Sequence, residues 1–279
     1  MRKLMRRLFA TALILGVIIA AKAAYDTMRD PVVQRLTVES AALPAGSPPV
    51  TIALLADIHV AGPDMPPSRL KRIVRQVNAL EPDLVMIAGD LVSEKRIATK
   101  HYSPEDIVDP LAQLTARYGA VLVPGNHDHW FNWPALSEQL ARHDNLTVLV
   151  NEAAQFGPIA VGGVDDAFTK RDDLEQTFAQ MQPLTGARVV LTHSPDIFPQ
   201  VPTNVDLVLA GHTHCGQIGF PWGGAPATMS DFGQQYACGV VEQNGKTLVT
   251  SAGIGTSLLP MRLFTQPEIW VIEVRPAGS

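Results

Sequence analysis

Hydrophobic positions along the chain change texture near residue 49. Ahead of it, Leu8 to Ala21 form one uncharged apolar run behind the cations Arg2, Lys3, Arg6 and Arg7. A run of that length suits a signal-peptide core, and counting through Lys22, whose stem can snorkel, to Ala24 lengthens it to a short membrane helix. Ala21-Lys22-Ala23 is a poor cleavage site because of its central Lys, so residues 1–24 read as an uncleaved anchor, with a signal segment as the alternative. Residues 25–49, polar and containing Pro, read as a linker. Beyond Pro49 the apolar runs are short and recur: Val50 to Ala56, Leu84 to Ala88, Ala120 to Val123, Ile159 to Val161, Arg188 to Leu191, Val205 to Ala210, Thr247 to Ser251 and Ile269 to Val274. Rich in Val, Ile and Leu, they predict buried strands. Between them the spacing predicts helices over Arg69 to Leu80, Pro104 to Tyr118 and Pro134 to His143, the first two capped by Ser68 and Ser103. In the first, Leu70, Ile73, Val74, Val77 and Leu80 form one stripe, and Lys71, Arg72 and Arg75 lie opposite. Alternating strand and helix predict one α/β domain over residues 50–275, preceded by an N-terminal hydrophobic helix.

Composition adds exclusions. With 46% hydrophobic and 18% charged residues, the 279-residue chain can bury a full core, so disorder is excluded. Five of its 22 Lys and Arg lie within the first 23 residues, leaving 17 against 27 acids in the remainder. That balance argues against nucleic acid as a partner, because phosphate neutralisation needs clustered cations. The N-terminal cations favour a cytoplasmic flank, which places the domain on the outer, periplasmic or extracytoplasmic side of the inner membrane. Cys215 and Cys238 are too few for a zinc ribbon or a disulfide scaffold; Cys215 reads as a residue that packs in its loop, with a Cys215–Cys238 pair in an oxidising compartment as the alternative.

The candidate chemistry gathers where strands end, the place at which open α/β sheets bind ligands. The first run ends in Asp57-Ile58-His59, the second in Gly89-Asp90, and the third, after Pro124, in Gly125-Asn126-His127-Asp128. The fifth ends in Thr192-His193 and the sixth in Gly211-His212-Thr213-His214. A lone His after a strand is more often a satisfied loop residue than a ligand. Five of the eight histidines at such positions outweigh that reading, since one specified tetrapeptide arises by chance with a probability of roughly 0.002 in this length. Asp, Asn and His without Cys suit Mn²⁺, Fe or Zn²⁺. Seven donors exceed the needs of one tetrahedral ion and match two divalent metal ions that share a carboxylate.

In kind and order these motifs resemble those of the calcineurin-like metallophosphoesterases: Asp-x-His, Gly-Asp, Gly-Asn-His-Asp, a lone His, then Gly-His-x-His. The segment GHTHCGQI at 211–218 and the tail GIGTSLLPMRLFTQPEI at 253–269 are similar to a membrane-linked bacterial subgroup. The resemblance implies a four-layer αββα sandwich with its site at the sheet ends. It implies one metal held by Asp57, His59, Asp90 and His214, and a second held by Asp90, Asn126, His193 and His212. It further implies a metal-bridged water as nucleophile and His127, free of metal, as general acid toward the leaving group. One position departs from the pattern: Ser93 replaces the second acid of Gly-Asp-x-x-Asp, so Asp128 or a backbone carbonyl is the expected partner of His127.

The expected activity is hydrolysis of a phosphodiester or pyrophosphate. The stretch 216–232, with Phe220 and Trp222 and no basic residue, is a candidate apolar lip for a lipid-linked substrate such as UDP-2,3-diacylglucosamine, which some members of the subgroup cleave. A domain on the outer side argues against a nucleotide-sugar lipid made in the cytoplasm, unless the N-terminal segment is an interfacial anchor. The alternatives are a phosphomonoesterase and a membrane-tethered metal-binding domain without turnover. Ser194 beside His193 lacks a nucleophile elbow, which sets serine hydrolysis aside.

Overall fold

Alternate residues of the short apolar runs face different layers, and this builds the molecule. The computed structural model describes residues 1–95 and 97–278. Its helices are α1 (Arg2–Met28), α2 (Pro67–Asn78), α3 (Pro104–Leu111), α4 (Asn126–Leu140) and α5 (Leu174–Met181). One six-stranded sheet takes, in spatial order, β1 (Val32–Ser40), β12 (Glu268–Pro276), β2 (Val50–Leu55), β3 (Leu84–Ala88), β4 (Ala120–Val123) and β5 (Leu146–Val148). The other takes β10 (Gly239–Gln243), β11 (Lys246–Thr250), β9 (Leu207–Ala210), β8 (Ala187–Leu191), β7 (Ile159–Gly163) and β6 (Glu152–Phe156).

Ile52 and Leu54 of β2 join Leu207 and Leu209 of β9 in the core between the sheets. Ala53 and Leu55, one step out of phase, join Leu70, Ile73 and Val77 of α2 in the core under the helices. At about 1.5 to 3 kcal/mol for each large apolar side chain buried, the α2 stripe alone outweighs the weak propensity of so short a helix. On the far side, Val190, Val208 and Leu248 pack with Met181 of α5 and with Ile197 and Phe198 of the 3-10 turn Pro195–Gln200. Helices, sheet, sheet and helices give the four-layer αββα sandwich. Strands β2 to β5 run parallel, as do β7, β8, β9 and β11, so in each sheet the carboxyl ends of the central strands point one way.

Several element boundaries differ from the sequence pattern. Residues 25–49 are not linker throughout: β1 pairs in parallel with β12 from Val32↔Glu268 to Ser40↔Pro276. It is an edge strand with mostly half-exposed and exposed residues, so it lacks an apolar run. Helix α2 starts at Pro67 after Pro66, and Ser68 lies inside it without capping. Ser103 does cap α3, but that helix stops at Leu111, just past Pro110. Helix α4 begins at Asn126 and kinks at Asn132, two residues before Pro134. Cys215 and Cys238 form a disulfide, so the alternative reading replaces that of Cys215 as a loop-packing residue; the bond spans 23 positions that give no local sign of pairing.

Helix α1 is about 40 Å long, with 27 residues at 1.5 Å each, and it is long and apolar enough to cross a membrane. Its apolar side chains stand exposed, and only Ala23, Asp26 and Thr27 near its end are buried.

Candidate metal centre

Asp57, Asp90, His193 and His212 each occupy the second position past the end of a strand, β2, β3, β8 and β9 respectively. Asn126 opens α4 just after β4. Asp57, His59, Asp90, His212 and His214 all adopt left-handed backbone, with φ between 49° and 70°. That conformation costs a non-glycine residue roughly 1 to 2 kcal/mol, and such strain concentrates at functional sites. Two motif glycines owe their place to close approach. A Cβ on Gly125 would lie 2.3 Å from Asp90 Oδ1, and one on Gly211 would lie 2.5 Å from Asp57 Oδ2.

These turns bring all the predicted site residues together. The donor atoms of Asp57, His59 and His214 lie within 4.8 Å of one another, and so do those of Asp57, Asp90 and His193. Asp90 Oδ2 is 3.4 Å from His59 Nε2 and 3.2 Å from His193 Nε2, midway between two donor sets. Asn126 Oδ1 and His212 Nδ1 approach the same His193 Nε2 at 3.2 and 3.1 Å. His127 stands beside His59 and Asp90 in a third group of this kind.

The side chains fit cations. His59 Nε2 faces His214 Nε2 at 3.0 Å in a fully buried place, and two neutral imidazole nitrogens so placed have one proton at most between them. His59 through Nε2 and His212 through Nδ1 turn toward the other donors, at 3.4 Å from Asp90 Oδ2 and 3.1 Å from His193 Nε2 respectively. His193 Nδ1 donates to Ala88 O at 2.7 Å, which leaves its Nε2 directed at the other donors. The backbone holds the carboxylates as well: His212 N donates to both Asp57 oxygens at 3.1 and 3.0 Å, and His127 N donates to Asp90 Oδ1 at 2.8 Å.

Burial and mutual charge divide these groups into two kinds. Burial pushes the Asp57 carboxyl up to about 7, with the Asp90 charge adding to it and the His193 charge opposing. Burial also acts on Asp90, but the His193 charge and hydrogen bond, then His59 and His127, hold it well below the usual carboxylate range. His193 is burdened by burial in its turn, yet Asp90 raises it well above an ordinary histidine. Burial lowers His59 and His214, and takes His212 down to about 3, aided by the His193 charge. The protein alone thus holds one Asp90–His193 ion pair among neutral imidazoles with available lone pairs.

Three residues around this cluster carry no mark in the motifs. Glu94 Oε1 lies 3.5 Å from His127 Nδ1, and Ser257 Oγ lies 3.3 Å from His127 Nε2. The expectation that Asp128 orients His127 is corrected: its carboxylate accepts from Leu91 N, Val92 N and Gly125 N and is spent on the backbone. Glu94, next to Ser93 in sequence, is the acid that faces the ring. Arg262, fully buried, donates to Ala252 O and Gly255 O, and its Nη2 lies 3.4 Å from His214 Nδ1. Above the cluster opens a cleft of about 420 Å³ whose floor includes Asp90, Asn126 and His127. Its walls are apolar, with Trp130, Phe168, Ile218, Met229, Leu258 and Leu259.

Oxygen and nitrogen donors for divalent metal at the strand ends of an αββα sandwich define the metallophosphoesterase class of hydrolases. This chain belongs to the calcineurin-like phosphoesterase family, whose sequence model matches residues 50–216. It is 27% identical over 245 residues to the metallophosphoesterase YkuE of Bacillus subtilis strain 168, a match that covers 86% of this chain and 84% of that one. It is 30% identical over 281 residues to a transmembrane protein with metallophosphoesterase domain from Bos taurus, covering 93% of this chain and 61% of the bovine protein. Among solved structures, a hypothetical protein from Thermus thermophilus aligns with a TM-score of 0.46 at 13% identity, over 76% of this chain and 88% of that one.

Proposed function

We propose that this enzyme hydrolyses a phosphodiester or pyrophosphate at two divalent cations, on a substrate with an apolar portion, from the outer face of a membrane crossed by α1. The carrying observation is the position of Asp90 between His59 and His193. On this reading Asp57, His59, Asp90 and His214 hold one ion, and Asp90, Asn126, His193 and His212 hold the other. When bound, Mn²⁺, Fe or Zn²⁺ acidifies water and neutralises charge on phosphoryl oxygens. The chain supplies the rest. Ala88 O fixes the His193 ring through Nδ1, and the backbone of His212 fixes Asp57. His127, at the cleft floor, holds a proton for the leaving group, with Glu94 behind its Nδ1. The apolar walls exclude water and accept a non-polar arm of the substrate.

The Cys215–Cys238 disulfide supports the outer location, since such bonds persist in oxidising compartments. It therefore favours an amphipathic phosphoester of the outer face over UDP-2,3-diacylglucosamine on the cytoplasmic one. Purified full-length protein is expected to bind about two transition-metal ions and to hydrolyse bis-p-nitrophenyl phosphate faster than the mono ester, and Asp90→Ala to abolish both metal binding and turnover. Turnover of the mono ester alone would replace this reading with that of a phosphomonoesterase. Protease added to intact spheroplasts should digest the domain; protection would place it inside and restore the nucleotide-sugar lipid.

A further inference from the structure

Two loops form the mouth of the cleft, and they are joined to each other and to the end of α1. In the first, residues 216–232, the Phe220 and Trp222 rings stack 5.2 Å apart, and Trp222 is 80% exposed. In the second, residues 257–264, Leu258 is 68% exposed, with Leu259 and Phe264 also exposed. Backbone bonds zip the loops together: Gly219 N donates to Leu263 O at 2.8 Å, and Leu263 N donates to Gln217 O at 3.1 Å. Gln217 Nε2 adds bonds to Leu259 O and Met261 O, each 3.0 Å.

The second loop is then tied to the last turns of α1. Arg262 N donates to Thr27 Oγ1 at 2.7 Å, Phe264 N donates to Asp26 Oδ2 at 3.1 Å, and the Lys22 ammonium lies 5.5 Å over the Phe264 ring. A span of about 17 residues that begins at Leu8, just past the cationic flank, would leave the hydrocarbon near Ala24. Asp26 and Thr27 would then lie at headgroup depth, and Phe264, bonded to Asp26, with them. Tyr25, exposed on α1, is the residue type that favours that layer, as is Trp222. Five large apolar side chains on zipped loops form an exposed patch of the kind that marks an interaction site, and this one continues directly from a membrane-crossing helix.

We propose that Phe220, Trp222, Leu258, Leu259 and Phe264 form a membrane-docking surface. It sits in the interfacial layer of the bilayer that α1 crosses and turns the mouth of the cleft toward the lipid. The surface rests on the anchor reading given under Proposed function. Its consequence for that function is that an amphipathic phosphoester reaches the metal centre from the membrane without passing through bulk water.

The test uses the full chain in phosphatidylcholine vesicles, with and without brominated acyl chains, and reads tryptophan emission from the wild type and Trp222→Phe. Helix α1 contains no Trp, so the anchor itself contributes no signal. Brominated lipid should quench the wild type, and most of the quenched emission should be missing from the variant. Equal quenching in the two proteins would place Trp222 in water or against another protein and overturn the docking surface. Bis-p-nitrophenyl phosphate, soluble and small, keeps the two readings apart. Trp222→Phe and Phe264→Ser should hydrolyse it within about twofold of the wild type, since neither side chain lines the cleft. Lost quenching contrast with retained hydrolysis overturns docking alone; quenching contrast without any hydrolysis in the wild type supports docking and overturns the phosphoesterase reading.

Discussion

Burial makes the individual side chains of this site useful, because it separates groups of like type by their protonation. With Asp57 near 7 and His193 raised, both carry a proton at pH 6, whereas at pH 8 Asp57 does not. His59, His212 and His214 are already neutral at both values. A cation at Asp57 must displace its proton, so metal affinity should rise with pH through about 7, and calorimetry in buffers of different ionisation enthalpy should find more protons released per metal at pH 6 than at pH 8. Equal release at the two values would show that Asp57 does not titrate there. For the proton donor, His127→Ala should keep its metal and lose roughly 10²- to 10⁴-fold in kcat. Loss of metal in that variant would make His127 a ligand, a role its position beside His59 and Asp90 allows. Glu94→Gln should cost about tenfold in kcat at unchanged metal content, as is usual for outer-sphere partners. The motif residues are legible in the sequence because each follows an apolar run directly. Glu94 is not, since a surface Glu one place beyond Ser93 looks like any solvated charge. Ser257, 130 positions from His127, leaves no local trace at all.

At the scale of elements, the turn after each strand decides where its donor points. Gly211→Ala tests this, because the added Cβ would meet Asp57 Oδ2 at 2.5 Å while the strand before it stays intact. Metal occupancy and turnover should fall together, at least tenfold, with the circular dichroism unchanged; full occupancy would mean that the carboxylate can move aside freely. The central strands β2, β3, β4, β8 and β9 are legible because burial on both faces demands continuous apolar residues. Strands β1, β5, β6 and β10 lack such runs: β6 and β10 mix half-buried with exposed residues, and β5 has only 3 residues. The first turn of α4 reads as a loop because Gly125-Asn126-His127-Asp128 has no helical apolar stripe; Asp128 nonetheless caps it through Gly125 N.

For the molecule as a whole, the disulfide and α1 tie the cleft to its surroundings. Cys215 lies next to His214, and its bond to Cys238 closes a loop of 23 positions. Removing it as Cys215→Ser with Cys238→Ser should cost about 3 kcal/mol, read as a lower denaturant midpoint, and thiol titration of the unreduced wild type should find no free cysteine. Titration of two thiols would show the bond to be absent and would withdraw its support for an oxidising compartment. The order of residues alone determined the alternating α/β plan, the apolar N-terminal helix and the rule that donors follow strands, because an apolar run must be buried and what comes after it is left at a sheet end. Only the tertiary structure decided that His59 meets His214 across 155 positions, that Glu94 rather than Asp128 faces His127, that the cysteines pair, and that the mouth of the cleft adjoins α1. Those contacts depend on how two sheets stack and which loops then cross, and local patterning carries no record of an ångström-scale approach between layers.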